Sequence, residues 1–225
     1  MGTLYVVATP IGNLEDITIR AIKTLLSVEI IACEDTRHTG QLIKILEDRW
    51  AQVLTITPIS HKYLSVRDWN EAEVIAKVIL QLQLGDVALV SDAGTPLISD
   101  PGFKVVRAVR AANIPITSIP GPSAVTAALS VAGLPTDKFV FLGFLPKKWE
   151  LVPNMTNIIY ESPQRLASTL AKIRERYPSA QITLASELTK IHEQVQNFTG
   201  QALPPKGEHV ILVNFSPSPP PANTD

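Results

Sequence analysis

Over the first 119 residues, short apolar runs alternate with longer amphipathic segments, and few folds accept that rhythm. Apolar runs stand at Leu4–Ala8, Glu29–Ala32, Val53–Ile56, Val87–Val90 and Ile116–Ile119. Helical spacing covers Ile19–Leu26, Thr36–Leu46, Glu71–Leu84 and Gly102–Ala112 between them. In the segment 71–84, Val74, Ile75, Val78, Ile79 and Leu82 fall on one helical face. A strand followed by a helix returns to the same edge of its sheet, so the next strand runs parallel. The rhythm therefore predicts a mostly parallel α/β sheet, with the third strand at Val53–Ile56.

Near Pro120 the pattern changes. Pro122 suits the first turn of a helix running to Val131. Strand candidates at Phe139–Leu142, Asn157–Tyr160, Ile182–Ala185, His192–Asn197 and His209–Asn214 then outnumber one clear helix, Pro163–Arg176. Many strands with few crossover helices predict a mostly antiparallel sheet. The expected organisation is an N-terminal α/β domain over 1–119, a C-terminal α/β domain over 120–215, and a disordered proline-rich tail over 216–225.

Several classes are disfavoured. The uncharged stretch Ala111–Thr136 is long enough to cross a bilayer, but it carries Pro115, Pro120, Pro122 and Pro135 and fits strand, loop and helix start better. No basic leader precedes the first apolar run, so no signal peptide is expected. The single cysteine, Cys33, excludes an intramolecular disulfide framework and a cysteine-rich metal site, which points to the reducing cytoplasm. His38, His61, His192 and His209 lack zinc spacing, so no metal is expected. Twenty Lys and Arg against 21 Asp and Glu leave a net charge of -1, which provides no bulk attraction to nucleic acid. Neither G-x-G-x-x-G nor G-x-x-x-x-G-K-[ST] occurs. Ser123 falls short of a nucleophile elbow because Val125 stands where that motif needs glycine.

Four segments at strand ends carry the chemistry. Thr9-Pro10-Ile11-Gly12-Asn13-Leu14 follows the first strand, where parallel sheets bind ligands, although a tight turn would use the same residues. Ser91–Gly102 packs two Gly, two Pro and two Asp into twelve positions, longer than a plain connection of about 2–6 residues. Pro120-Gly121-Pro122-Ser123-Ala124 opens a helix whose free N–H groups suit a polar ligand, or Ser123 merely caps it. Glu34-Asp35-Thr36-Arg37-His38-Thr39 gathers two carboxylates, a guanidinium and an imidazole. Helix capping explains Asp35 and Thr36 but does not require Arg37 and His38. Lys147, Lys148, Arg165, Lys172, Arg174 and Arg176 are suited to phosphates, or to an ordinary solvated helix face.

Taken in order, these strings resemble the tetrapyrrole methylase superfamily, and within it the ribosomal RNA small subunit methyltransferase I family, which methylates a cytidine 2′-oxygen of 16S rRNA. The matching strings are Leu4–Thr18, Ile31–Leu42, Asp86–Gly102, Ile119–Asp137, Phe141–Lys148, Tyr160–Leu166 and Glu187–Glu193. EDTRHT together with SDAGTPLISDPG separates this branch from its porphyrin-methylating cousins.

The resemblance implies two α/β domains of the tetrapyrrole methylase type with S-adenosyl-L-methionine in a cleft. It implies methyl transfer to a cytidine 2′-OH in the decoding region of 16S rRNA, within the 30S subunit, by a cytoplasmic homodimer with no membrane or DNA partner. Carried over by position, Pro10, Ile11 and Gly12 line one cofactor wall, Asp92, Gly94, Thr95, Pro96 and Ile98 a second, and Ser123 and Ala124 a third. Tyr160 and the turn at Pro205 are further cofactor positions. Glu34, Asp35 and Arg37 are the catalytic candidates on the acceptor side, and Arg37, His38, Lys147, Lys148 and Arg165 the RNA contacts.

The chain departs from the family in three places. Gln164 replaces the usual histidine, the segment after Lys148 lacks the usual basic run, and no helical extension follows His209–Asn214. Substrate docking is therefore expected to be weaker, or to lean on a partner. A methylase of another substrate, or a catalytically silent RNA-binding dimer, stays open at this point.

Overall fold

In the computed structural model, which describes residues 1–67, 70–204 and 206–216, the chain divides into two compact units, Met1–Ser123 and a second beginning at Ala124. Pro205 and the tail from 217 on lie outside the described residues.

The first unit follows the strand–helix rhythm. It comprises β1 (Leu4–Val7), α1 (Ile19–Ser27), β2 (Ile30–Cys33), α2 (Thr36–Trp50), β3 (Lys62–Ser65), α3 (Glu71–Leu84), β4 (Val87–Leu89), α4 (Phe103–Ala111) and β5 (Ile116–Ile119). All five strands run parallel, in the order β3-β2-β4-β1-β5. Successive residues of a strand point to opposite faces, and both faces are covered. Ile31, Cys33, Ala88 and Val90 enter one core with Ile22, Leu25 and Leu26 of α1 and Ile43 and Leu46 of α2. Ile30, Ala32, Val87 and Leu89 enter the other with Val74, Val78 and Leu82 of α3 and Val105 and Val109 of α4. Two-sided burial is why these strands appear in the sequence as unbroken apolar runs. Each fully buried Leu or Ile contributes roughly 1.5–3 kcal/mol.

The second unit comprises α5 (Ala124–Val131), β6 (Phe139–Phe144), β7 (Thr156–Glu161), α6 (Pro163–Arg176), β8 (Gln181–Ser186), β9 (Gln194–Asn197) and β10 (His209–Asn214). Its sheet order is β6-β7-β10-β8-β9, antiparallel except for the β6–β7 pair. Leu166, Leu170 and Ile173 of α6 pack on Ile159, Ile182, Leu184, Ile211 and Val213. Asn157 is fully buried in this unit, and its amide group is satisfied by the backbone. It donates to the carbonyls of Val152 (2.8 Å) and Met155 (3.1 Å) and accepts from the Val152 N–H (2.7 Å).

The expected strand at Val53–Ile56 is not one. These residues close the end of α2: the Leu54 N–H donates to Trp50 O (2.9 Å) and the Ile56 N–H to Ala51 O (2.8 Å). That second, long return bond requires a left-handed residue before it, and Thr55 supplies it at φ 56°. Leu54 and Ile56 are apolar because they pack against the first core, not because they pair. The third strand is Lys62–Ser65, an edge strand paired, among the described residues, with β2 alone and only partly buried, so it has no apolar run to announce it. A β-branched residue pays about 1–2 kcal/mol to be left-handed. Glycine's extra chain entropy offsets part of the relief, about 0.4–1 kcal/mol. Thr55→Gly is therefore expected to raise the melting temperature by about 1–3 °C, checked by differential scanning calorimetry; a fall would show that the Thr55 side chain holds the turn.

Candidate functional site

Because the first sheet is parallel, the loops leaving β2, β4, β1 and β5 emerge along one edge in that spatial order. Three of them are tied together by hydrogen bonds, two of them between backbone groups. The Thr9 N–H donates to Gly94 O (2.9 Å), and the Gly94 N–H returns to Thr9 O (3.1 Å). The Thr9 hydroxyl donates to Ser91 O (3.3 Å), and that of Thr95 to Pro122 O (3.0 Å). Gly94 sits at φ +80°, and a β-carbon there would stand 3.1 Å from Cγ2 of Ile11. Any larger residue is both strained and crowded, so the approach of the two loops depends on glycine. A β-carbon on Gly121 would likewise meet Cβ of Ala8 at 3.0 Å. Pro10, Ile11, Gly12, Asp92, Gly94, Thr95, Pro96, Ile98 and Ser123 thus share one edge of one unit, with Ile11, Gly94 and Pro96 buried and Gly12 and Ile98 exposed.

The loop after β2 joins through Asp92, whose Oδ1 accepts the Asp35 N–H (3.1 Å) and lies 3.7 Å from Nδ1 of His38. Asp35 is the N-cap of α2. Its carboxylate accepts the N–H groups of Arg37 (2.8 Å) and His38 (3.3 Å), and these two bonds hold its pKa below the usual carboxylate value. Capping therefore accounts for Asp35. Arg37 is different: its side chain is 91% exposed, with only a 3.9 Å approach to Asp35. Glu34, next to Asp35 in the same loop, is half-buried. Cys33, one residue before, is buried, and burial pushes its thiol up to about 11, so it is inert as a nucleophile.

Asp100 was not singled out by sequence reasoning, since an Asp before Pro-Gly at a helix start looks like ordinary turn chemistry. Its Oδ2 is buried without a hydrogen-bond partner among the described residues. Burial raises its pKa to about 6; a Ser91 hydrogen bond opposes this, and the charges of Glu34 and Asp92 add to it. The loop that carries it holds three further left-handed residues beyond Gly94: Leu97, Ser99 and Gly102. Asp92, Asp100 and Glu34 thus form a small acidic group at the strand-end edge.

The family model for Tetrapyrrole (Corrin/Porphyrin) Methylases matches residues 3–204. The chain belongs to that family. Its curated relatives include proteins named ribosomal RNA small subunit methyltransferase I. The one from Hydrogenobaculum sp. is 48% identical over 85% of this chain and 83% of its own length. The one from Synechocystis sp. is 42% identical over 95% and 79%. Among solved structures, a Thermus thermophilus uroporphyrin-III C-methyltransferase complexed with S-adenyl homocysteine superposes with a TM-score of 0.60 at 15% identity, covering 95% of this chain and 97% of that one. That likeness shows the tetrapyrrole methylase fold.

The remaining expected residues of this tetrapyrrole methylase belong to the second unit. Ala124 opens α5. Tyr160, on β7, packs edge-on against Phe141 (4.8 Å) and Phe144 (6.0 Å). Lys147 and Lys148 are exposed in the segment after β6. Arg165 is largely committed within the unit: Nε lies 3.1 Å from the buried Glu161 carboxylate, and Nη2 donates to Leu145 O (2.7 Å). Glu161 also accepts from the Thr169 hydroxyl (2.6 Å) and the Ser162 N–H (2.9 Å), so it is fully satisfied.

Asp100 gives a pH test with a definite sign. A carboxyl whose folded pKa is raised costs stability above that pKa, and the cost is relieved as pH falls toward the unfolded value. Asp100→Asn is expected to raise the melting temperature near pH 8, with the gain closing between about pH 7 and pH 4. Melting curves across that range check it; a gain independent of pH would show that the charge of Asp100 is not the cause.

Proposed function

We propose that this chain transfers a methyl group from S-adenosyl-L-methionine to the ribose 2′-oxygen of a cytidine in 16S rRNA, acting on the 30S subunit as a homodimer. The observation that carries the reading is the 48% identity, over 85% of the chain, to a relative named for small-subunit rRNA methylation. The strand-end edge of the first unit supports it with a surface such a cofactor fits. Gly12, Ala93 and Gly121 are exposed there and offer main chain without bulk, beside an exposed apolar Ile98. Pro10, Ile11, Gly12, Asp92, Gly94, Thr95, Pro96, Ile98 and Ser123 are the residues of this edge that would hold the cofactor, with Ala124, Tyr160 and Pro205 added by the family pattern.

The cofactor supplies an already electrophilic methyl group. What remains for the chain is to align a poor acid, the 2′-hydroxyl, and to receive its proton. Asp35 is a weak base, because two N–H groups stabilise its charged form. Glu34 precedes the cap position in the same loop and is the carboxylate assigned here to receive the proton. Arg37, extended into solvent at the first turn of α2, suits an RNA phosphate next to the reacting ribose.

Transfer of labelled methyl to 30S subunits, followed by nucleoside analysis of the digested RNA, tests the reading. The expected product is 2′-O-methylcytidine. Methylation of a base, or no transfer to 30S subunits or naked 16S rRNA, overturns it. A charge-assisted hydrogen bond is worth about 1.5–3 kcal/mol, so Arg37→Ala is expected to lower kcat/KM for RNA about 10- to 150-fold. Affinity for S-adenosylhomocysteine, measured by titration calorimetry, is expected to stay within about twofold; parallel loss of both would place Arg37 in the cofactor site or in folding.

A further inference from the structure

An open concavity of about 590 Å³ in the second unit is lined by Lys147, Lys148, Trp149, Glu150 and Arg176. Three cations face one carboxylate there, although the chain as a whole carries a net charge of -1. The segment bearing the lysines belongs to no helix or strand, yet it is pinned from below. Arg176, at the end of α6, donates through Nη1 to Trp149 O (2.6 Å) and lays its guanidinium over the Trp149 ring at 4.6 Å. Trp149 in turn stacks on Tyr177 (6.5 Å between centroids), whose hydroxyl accepts the Leu151 N–H (3.0 Å). Lys147 and Lys148 themselves are exposed and make no ion pair among the described residues. Glu150 approaches Arg176 only to 3.8 Å and is 87% exposed, an ion pair that neutralises little in water.

Free ammonium groups on a pre-ordered backbone suit a ligand whose anionic charges repeat along a chain. The ordering cost has been met before binding, and neither cation must give up an internal partner. We infer that the Lys147–Lys148 segment, held in place by Arg176 and Trp149, is a docking surface for the phosphate backbone of the RNA substrate. Trp149 acts here as a support for Arg176, since Arg176 and Tyr177 stack on it, and not as a platform for a base. The inference rests on the reading that RNA is the substrate, but it is tested by binding alone.

The experiment measures fluorescence anisotropy of labelled 16S rRNA across a salt series, with the full chain and with a Lys147→Gln, Lys148→Gln double variant. Both side chains are exposed and unpaired among the described residues, so folding is expected to survive, and unchanged S-adenosylhomocysteine affinity checks it. Two lost phosphate contacts are expected to lower the slope of log Kd against log salt by about 1.4 and to raise Kd at least about tenfold near 0.1 M salt. Arg176→Lys keeps the charge but loses the stack and the planar fork; it is expected to weaken binding with the slope unchanged. Equal Kd and equal slope for the wild type and the double variant overturn the docking surface, as does absence of wild-type RNA binding at low salt. Binding that behaves as expected without any methyl transfer would instead overturn the proposed activity and leave this surface standing.

Discussion

The exchange of two backbone hydrogen bonds between Thr9 and Gly94 is the constraint on which the candidate site depends. It joins the loops that leave two neighbouring parallel strands, and it forms only because Gly94 is left-handed and has no β-carbon to strike Ile11. Parallel strands by themselves deliver loop ends to a common edge but leave their paths free. The Thr9–Gly94 pair, the Thr95–Pro122 bond and the Ala8–Gly121 approach fix those paths for the loops after β1, β4 and β5. Asp92 extends the tie to the loop after β2 through the Asp35 N–H. A surface of main chain and small residues results, with the charged groups gathered at one end of it.

That division separates residues that build the edge from residues free to act on a ligand. Asp35 belongs to the first group: its carboxylate is spent on the N-terminus of α2. Arg37 belongs to the second, extended from a helix turn that Asp35 has fixed. In the second unit the same contrast appears between Arg165, bonded to Glu161 and Leu145, and Lys147 and Lys148, which are unpaired among the described residues. Arginines with short internal contacts stabilise the chain's own backbone, while cations without them are available to something else.

Most of the framework was legible because two-sided burial writes itself into the sequence as unbroken apolar runs. β2 and β4 were visible for that reason, as was the change from parallel to antiparallel pairing near Pro120. β3 was not legible: at the sheet edge Lys62–Ser65 needs no apolar run, while Leu54 and Ile56 are apolar for packing at a helix end. The glycine- and proline-rich loops were recognisable as site candidates from composition and length. Whether Asp35 capped or catalysed was not legible, since both roles need a carboxylate before a helix. The raised pKa of Asp100 was hidden because it arises from burial and from the neighbouring charges of Glu34 and Asp92, which lie far away in sequence or on another side of the loop.

The central claim is that the cofactor lies on the strand-end edge fastened by Thr9 and Gly94. Hydrogen–deuterium exchange with and without saturating S-adenosylhomocysteine tests it most directly. The account predicts slowed exchange in the segments 9–13, 91–98 and 120–124, with no change at the opposite edge of the same sheet, in 85–86 and 112–115. Protection confined to that opposite edge, or no protection in the three loops at saturation, would contradict it.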